Sequence, residues 1–164
     1  MKRIRLATAW LSGCSGCHMS LLNLHGDLLE LFELYELVYS PFTDIKEFPR
    51  NVDIALIEGA VSSQDNLEMA RIIRERTLIV ASLGDCALNG NVTALRNPKG
   101  KTTVIDAAYT QHNNQPGGFG SDVSTLLNSA LPLHHVILVN AFISGCPPEP
   151  DQIRSALKQL AVRL

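Results

Sequence analysis

The chain has 164 residues, of which 46% are hydrophobic and 18% are charged. This length and composition are typical of one folded domain with a sizeable apolar core, and they exclude a disordered protein. The formal net charge is −2, so the sequence offers no electrostatic basis for binding nucleic acid or an anionic membrane surface.

Short apolar runs alternate with longer amphipathic runs along most of the chain. In chain order they predict a strand over 4–10, a helix over 17–37 that runs into a strand at 36–39, a strand over 53–57, a helix over 64–76, strands over 77–83 and 136–142, and a helix over 151–163. Strands separated by helices favour parallel pairing, because a right-handed crossover needs the helix. We therefore predict a single α/β domain over 1–164, with a flavodoxin-like parallel sheet and helices on both faces.

The stretch 97–120 departs from this alternation because it is polar and rich in glycine. A stretch of this length without apolar periodicity is unusual inside a compact domain. We predict a polar loop insertion over about 97–120, and two interpretations stay open. The insertion is either a surface that a partner covers or a disordered segment.

No run reaches the roughly 18 to 20 uninterrupted apolar residues that a membrane span needs. The first residues also lack the apolar region and small-residue cleavage site of a secretory signal. The expected location is therefore the cytoplasm, where thiols stay reduced. Four cysteines in that compartment indicate metal ligands, redox groups or core residues rather than a disulfide framework.

The cysteines all fall just after predicted strands. Cys14 and Cys17 follow the first strand, Cys86 follows the fourth, and Cys146 follows the fifth. In an open parallel sheet the carboxyl ends of the strands share one edge, and ligands bind at that edge. We therefore expect three segments that are distant in sequence to converge at one site.

Glycines precede the cysteines at Gly13, Gly16, Gly84 and Gly145. Glycine allows a sharp turn and lets backbone N–H groups approach a bulky anion, as the sulfurs of a cluster require. Cys17 also opens a predicted helix, whose free N–H groups and dipole favour the thiolate form. Four thiolates at four corners suit a 4Fe–4S cluster.

Other interpretations of the cysteines remain open at this point. A structural zinc site also takes four cysteines, but usually as two close pairs, whereas Cys86 and Cys146 are far apart in sequence. A thioredoxin-like dithiol would use Cys14 and Cys17, since a strand, a C-x-x-C pair and a helix follow one another. A plain interaction module would leave all four thiols incidental.

Two polar residues accompany the cysteines. Glu58 ends the third predicted strand at the same edge, where it would tune a bound cluster, relay protons, or simply act as a solvated or capping carboxylate. His18 follows Cys17 directly. A single histidine at a helix start is more often a surface residue, although this one would also be placed to face a cluster or a partner.

Four segments together form a more specific pattern than the cysteine pair alone. They are WLSGCSGCHMS at 10–20, IEGAV at 57–61, GDCALNGNV at 84–92 and GCPP at 145–148. In this combination the chain resembles, over essentially its whole length, the small electron-transfer subunit of nickel–iron hydrogenases. The resemblance is closest to the short form in cytoplasmic, bidirectional NAD-reducing hydrogenases.

The resemblance implies a cofactor, partners and a direction of electron flow. Cys14, Cys17, Cys86 and Cys146 would bind one proximal 4Fe–4S cluster, and Glu58 would be the family's glutamate near it. The nickel–iron site would lie on a large partner subunit, because that site needs four cysteines of its own. Electrons from hydrogen would leave toward flavin and iron–sulfur diaphorase subunits that reduce NAD, so the chain would be enzymatic only as a subunit.

The chain also differs from parts of the wider family. Larger members have a carboxy-terminal extension with further cysteines and often a twin-arginine export signal. Here no cysteine follows Cys146, which implies one cluster, and no twin-arginine motif is present, which agrees with a cytoplasmic enzyme. Some members hold a flavin mononucleotide, which the resemblance raises as a second cofactor. The related complex I subunit is the alternative, but it has adjacent cysteines where Ser15 and Gly16 separate Cys14 from Cys17 here.

Overall fold

Five strands form one parallel sheet with helices on both faces. The computed structural model describes residues 3–110 and 123–164. Its strands are β1 (Ile4–Trp10), β2 (Tyr35–Tyr39), β3 (Val52–Glu58), β4 (Val61–Ser63), β5 (Thr77–Leu83), β6 (Leu126–Leu131) and β7 (Ala141–Ile143), and its helices are α1 (Gly16–Leu22), α2 (Gly26–Leu34), α3 (Gln64–Arg76), α4 (Asp85–Asn89), α5 (Asn91–Ala94), α6 (Lys101–Ile105) and α7 (Pro150–Ala161). The sheet order is β2–β1–β3–β5–β7 with every pair parallel. This is the flavodoxin-like order, so the predicted fold class is confirmed.

The central strand β3 shows why the sheet is covered on both sides. Its side chains alternate between faces: Ile54 and Leu56 pack in the core cluster that includes residues of α1, α2 and α7, whereas Ala55 and Ile57 pack in the cluster that includes residues of α3. All four are buried. The continuous apolar run that predicted this strand is therefore the run that a doubly covered parallel strand requires.

The strand register brings four strand ends to one level. Trp10 pairs with Glu58, Glu58 pairs with Leu83, and Leu83 pairs with Ile143. The loops that follow β1, β3, β5 and β7 therefore leave the sheet from a single row of residues. This register is the reason that segments distant in sequence meet at the carboxyl edge.

The helix predicted over 17–37 is wrong in its extent. The structure has two helices there, α1 and α2, and β2 begins at Tyr35. The break falls at Asn23–His25, where His25 has a φ of 49°. The apolar spacing does not show the break, because Leu24 lies inside it and is still buried.

The strand predicted over 136–142 is also wrong in its bounds, since only Ala141–Ile143 is a strand. Residues 136–140 form a turn and irregular backbone, which follow a short 3-10 helix at Leu133–His135. Just before β7, the Asn140 side-chain oxygen accepts the Val80 N–H at 2.9 Å, and the Asn140 N–H donates to the Val80 carbonyl at 2.7 Å. A side-chain amide thus takes the place of the backbone carbonyl that a longer strand would supply.

The first part of the predicted loop insertion at 97–120 is helical. Asn97–Lys99 is a 3-10 turn, Lys101–Ile105 is α6, and Asp106–Thr110 is a π-helical turn, whereas 111–122 lie outside the described residues. Asn97 exchanges two hydrogen bonds with the backbone of Ala130 in β6. The polar side chain therefore fastens this stretch to β6, which pairs antiparallel with β4. The sequence pattern does not predict this second, two-stranded sheet.

The described part of the chain contains no helix that is both long and apolar enough to cross a membrane.

Tyr35 connects β2 to α7, and removing its hydroxyl group tests this contact. The side chain is fully buried, and its hydroxyl donates to the Leu157 carbonyl at 2.7 Å. We predict that Tyr35→Phe lowers the free energy of unfolding by about 1 kcal/mol, because a buried hydrogen bond is lost. Chemical denaturation of the purified chain measures this. Tyr39→Phe is the matched control in the same strand, and an equal loss in both variants would contradict the prediction.

Candidate functional site

The four cysteines lie together at the carboxyl edge of the sheet. Cys14 and Cys17 flank the start of α1, Cys86 lies in α4, and Cys146 lies in the loop after β7. Cys17 and Cys86 are buried, whereas Cys14 and Cys146 are exposed. Charge on each of the other three cysteines acts on Cys17, so all three thiols lie within electrostatic reach of Cys17.

Glycines allow these loops to approach closely. Gly84 has a φ of +82°, and a Cβ atom there would overlap the Cys17 sulfur and lie 3.3 Å from the Gly145 carbonyl oxygen. A Cβ atom at Gly16 would lie 3.3 Å from the Cys14 sulfur. Any larger residue at Gly84 would therefore push Cys17 away from the other cysteine loops.

The fourth predicted glycine, Gly13, faces the end of β3. A Cβ atom there would lie 3.4 Å from Glu58 Oε1 and 3.2 Å from the Gly59 Cα atom. The Trp10 indole N–H donates to the Gly13 carbonyl at 3.0 Å. The loop that carries Cys14 is thus held between the last residue of β1 and the turn after β3.

Asp85 connects the Cys86 and Cys146 loops. Its Oδ1 accepts the Gly145 N–H at 2.7 Å, and its own N–H donates to the Gly145 carbonyl at 2.9 Å. The Ser20 hydroxyl of α1 donates to the Pro148 carbonyl at 2.5 Å. The sequence analysis did not predict a role for Asp85 or Ser20, although Asp85 directly precedes Cys86 in the segment at 84–92.

Thr93 is a third residue that sequence reasoning missed. Its hydroxyl donates to the Ser12 carbonyl at 3.2 Å, at the start of the loop that carries Cys14. Burial raises the pKa of the Cys86 thiol, and the Thr93 side chain opposes that rise. Thr93 therefore binds the Cys14 loop and influences the thiol of Cys86.

The Cys17 thiol does not behave as a helix-activated thiolate. Burial first, and then the charges of Glu58 and the other three cysteines, raise its pKa to about 12. Our expectation that the start of α1 favours the thiolate is thus wrong, because loss of hydration outweighs the N–H groups of a helix as short as Gly16–Leu22. A dithiol oxidoreductase needs the opposite, namely a thiol with a lowered pKa.

Glu58 and His18 form a buried pair beside the cysteines. Both side chains are 1% exposed. His18 Nδ1 lies 2.5 Å from Glu58 Oε2, and the His18 backbone N–H donates to the same oxygen at 2.9 Å. The expectation of a surface histidine is therefore wrong, and so is that of a solvated glutamate. The register of β3 and the turn into α1 bring together two residues that are 40 positions apart.

The other ring nitrogen of His18, Nε2, is buried and has no hydrogen-bond partner within residues 3–110 and 123–164. The ring of Phe42 packs against the His18 ring edge to face, with centroids 5.5 Å apart. In the same described ranges, no three His, Cys, Asp or Glu side chains are grouped as ligands of a single metal ion.

The chain is similar to known redox proteins along most of its length. Residues 14–160 match the family described as NADH ubiquinone oxidoreductase, 20 Kd subunit. The NAD-reducing hydrogenase HoxS subunit delta of Cupriavidus necator is 37% identical over 164 residues, which cover 96% of this chain and 78% of that protein. One subunit of the F420-non-reducing hydrogenase of Methanothermobacter marburgensis is 37% identical over 157 residues, 92% of this chain and 51% of that protein. The chain thus spans about half the length of that relative.

Two solved structures are similar as well. A crystal structure of an NAD+-reducing [NiFe]-hydrogenase in the H2-reduced state contains a chain with a TM-score of 0.93 and 35% identity, with 99% of this chain and 93% of that chain covered. The [NiFeSe] hydrogenase of Desulfovibrio vulgaris Hildenborough gives a TM-score of 0.62 at 18% identity, over 96% of this chain and 59% of that one. The second likeness shows the shared fold alone.

Removing the Asp85 carboxylate tests whether it holds the Cys146 loop. We predict that Asp85→Ala speeds hydrogen exchange of the Gly145 N–H by about fivefold, because one net hydrogen bond of about 1 kcal/mol is lost. Asp85→Asn keeps an oxygen acceptor and is expected to retain most of the protection. Amide exchange followed by NMR or mass spectrometry measures the rates. Equal rates in the wild-type and Asp85→Ala chains would contradict the role assigned to Asp85.

The raised pKa of Cys17 predicts slow alkylation of the reduced, iron-free chain. At pH 8 a thiol with a pKa of about 12 is only about one part in ten thousand thiolate, and the thiolate is the form that reacts. We expect iodoacetamide to modify Cys17 at least about a hundredfold more slowly than the exposed Cys14. Mass spectrometry with fragment-ion localisation follows both residues. Unfolding in urea should abolish the difference, and faster labelling of Cys17 in the folded chain would contradict the prediction.

Proposed function

Because this chain belongs to the NADH ubiquinone oxidoreductase 20 kDa subunit family, as a small subunit of the hydrogenase type, we propose that it carries one 4Fe–4S cluster and conducts electrons. The ligands are Cys14, Cys17, Cys86 and Cys146. The observation that carries this proposal is the convergence of the four thiols from three loops that leave the sheet at one level.

The residues present fit such a cluster. Thiols are the ligands that iron–sulfur clusters take, and this chain places all of its cysteines at one edge. Gly84 and Gly16 leave room for the Cys17 and Cys14 sulfurs, while Asp85 holds the Cys146 loop through Gly145. When bound, the cluster supplies one-electron transfer. The flavin mononucleotide that the resemblance raised has no support among the described residues and is not part of the proposal.

Glu58 is assigned a second role, that of a proton relay. Its Oε2 and the Nδ1 of His18 lie 2.5 Å apart in a site from which water is excluded. The two side chains are within hydrogen-bond distance, and the backbone N–H of His18 keeps the carboxylate in place. Glu58 also stands close enough to Cys17 for its charge to act on that thiol.

The proposed partners meet the chain at its cysteine edge. Cys14 and Cys146 are exposed there. Trp10 ends β1 at this edge, Met19 follows the cysteine pair on α1, and Phe42 packs on the buried His18, and all three are exposed apolar side chains. Exposed apolar surface of this kind marks interaction sites. We assign it to the large subunit with the nickel–iron site, with flavin and iron–sulfur diaphorase subunits beyond it that pass electrons to NAD in the cytoplasm.

The competing functions are less compatible with the site. A dithiol oxidoreductase would leave Cys86 and Cys146 without a role, and the high pKa of Cys17 opposes it. A complex I subunit would have adjacent cysteines at the first position, whereas Ser15 and Gly16 lie between Cys14 and Cys17. The relatives named above are subunits of hydrogenases, which supports the hydrogenase type.

Metal content and spectroscopy of the anaerobically prepared complex test the proposal. We predict that about four iron and four sulfide per complex depend on the cysteines of this chain, in addition to the iron of the partner subunits, and that one EPR signal of the reduced complex depends on them as well. Cys146→Ser should lower the iron content and abolish electron transfer to NAD, because one ligand is lost. Ser144→Ala, an exposed change in the same loop, is the matched control. Zinc in place of iron, or a colourless chain with a reversible Cys14–Cys17 disulfide, would overturn the proposal.

A further inference from the structure

The side chain of Ser12 connects the Cys14 loop to the start of α3. Ser12 lies two residues before Cys14, and its hydroxyl donates to Asn66 Oδ1 at 2.7 Å. The backbone N–H of Ser62 donates to the same oxygen at 3.2 Å. The Ser62 hydroxyl contacts the Ser12 hydroxyl, so Ser12, Ser62 and Asn66 form a closed ring of hydrogen bonds.

One backbone N–H determines the direction of every bond in this ring. A backbone N–H can only donate, so the Asn66 atom that faces the Ser62 N–H is the amide oxygen and not the nitrogen. An amide oxygen only accepts, so the Ser12 hydroxyl donates to it. Because Ser12 has then used its single hydrogen, the Ser62 hydroxyl donates to Ser12 Oγ. The ring therefore has one arrangement of hydrogens.

Asn66 extends from a firmly held part of the backbone, the first turn of α3. Its own N–H donates to the Ser63 hydroxyl at 3.3 Å, which caps the helix. The N–H groups of the two preceding residues donate to the segment just before β6. The Asn66 side chain therefore reaches Ser12 from a helix end that is itself hydrogen-bonded.

The backbone of Ser12 is bonded as completely as its side chain. Its N–H donates to the Ala60 carbonyl at 3.1 Å, and its carbonyl accepts the Ala60 N–H at 2.8 Å and the Thr93 hydroxyl at 3.2 Å. Gly59 lies so close that a Cβ atom there would be 2.8 Å from the Ser12 carbonyl oxygen. Every polar atom of Ser12 thus has a partner, and the chain regains freedom to turn only at Gly13.

Cys14 needs such support because its loop is exposed and rich in glycine. Gly13 and Gly16 lie on either side of it, and glycine loses more conformational freedom on ordering than any other residue. The loop of the other exposed cysteine, Cys146, is held by Asp85. The ring of hydrogen bonds gives the Cys14 loop the corresponding support.

We propose that Asn66 is a positioning residue that keeps Cys14 in place as a ligand and thereby slows the loss of iron from the cluster. The inference rests on the cluster proposed above, and Asn66 acts on that cluster through Ser12 and Cys14. Residues that orient the ligands of a metal typically contribute about 10- to 100-fold to its affinity. Without the Asn66 oxygen, the Ser12 hydroxyl loses its acceptor, and the Cys14 sulfur leaves the iron more often.

The test follows an EPR signal of the reduced, anaerobic complex during incubation with the ferrous chelator bathophenanthroline disulfonate. The relevant signal is the one that is lost in Cys146→Ser. We expect Asn66→Leu to speed the decay of this signal by about tenfold, because an apolar side chain replaces the acceptor. Asn66→Asp keeps an acceptor oxygen and should retain the wild-type rate. Ser12→Ala, which leaves α3 unchanged, should speed the decay as well.

Two controls separate this role from a general loss of stability. Tyr35→Phe removes a buried hydrogen bond at the amino end of β2 and should leave the rate of decay unchanged. Gln64→Leu changes an exposed amide in the same turn of α3, which donates to Glu68 within the helix, and should leave it unchanged too. If Tyr35→Phe speeds the decay as much as Asn66→Leu does, the effect is global and the inference is wrong.

A second measurement needs no iron. In the iron-free chain, Asn66→Leu should speed hydrogen exchange of the Ser12 N–H by about fivefold, because the side chain that fixes this residue has lost a hydrogen bond. The Gly145 N–H, in another cysteine loop, should exchange at the wild-type rate. Unchanged exchange at Ser12 overturns the role of Asn66 whether or not a cluster binds.

The two proposals fail in different ways. A wild-type complex that lacks the iron–sulfur signal overturns the proposed function and this inference with it. A wild-type signal that decays at the same rate in Asn66→Leu and Ser12→Ala overturns the role of Asn66 alone. The double variant should decay no faster than Asn66→Leu, since both substitutions remove one shared contact. Two effects that multiply would contradict that contact.

Discussion

The close approach of four thiols is the constraint on which the rest of this structure depends. Two of them, Cys17 and Cys86, are buried, and negative charge on Cys14 or Cys146 disfavours negative charge on both. The loops therefore have to be held together by contacts that do not involve sulfur. Asp85 with Gly145 and Ser20 with Pro148 are such contacts, since each joins one cysteine segment to another through backbone atoms.

The register of the sheet determines where the loops that make these contacts begin. The paired residues Trp10, Glu58, Leu83 and Ile143 form one row, and the loops leave the sheet from this row. Beyond the row, the backbone N–H and carbonyl groups of Ser12 and Ala60 hydrogen-bond one another, so the pairing of the β1 and β3 segments continues. Glu58, the last residue of β3, lies on this row, and its side chain is directed to His18. One register thus determines both where the sulfurs meet and which carboxylate stands next to them.

Much of this arrangement was predictable because it depends on local pattern. The strands at 4–10 and 77–83 and the helix at 64–76 have the predicted bounds, since continuous apolar runs and helical spacing are local signals. The break at Asn23–His25 was not predictable from spacing, because Leu24 keeps the apolar pattern intact. Asp85 and Thr93 act through hydrogen bonds to backbone atoms of other loops, and the apolar periodicity of the sequence does not indicate such partners.

The unequal burial of the cysteines gives the site two different dielectric surroundings. Cys17 and Cys86 face the dry interior, while Cys14 and Cys146 face solvent. The potential of an iron–sulfur centre depends on its solvent exposure, so water beside Cys14 and Cys146 would be part of what determines the potential of the proposed cluster. A partner protein that covers those two residues would remove this water as it docks. Assembly and electron affinity would then be coupled, and the energy of the transferred electron would differ between the free chain and the proposed complex.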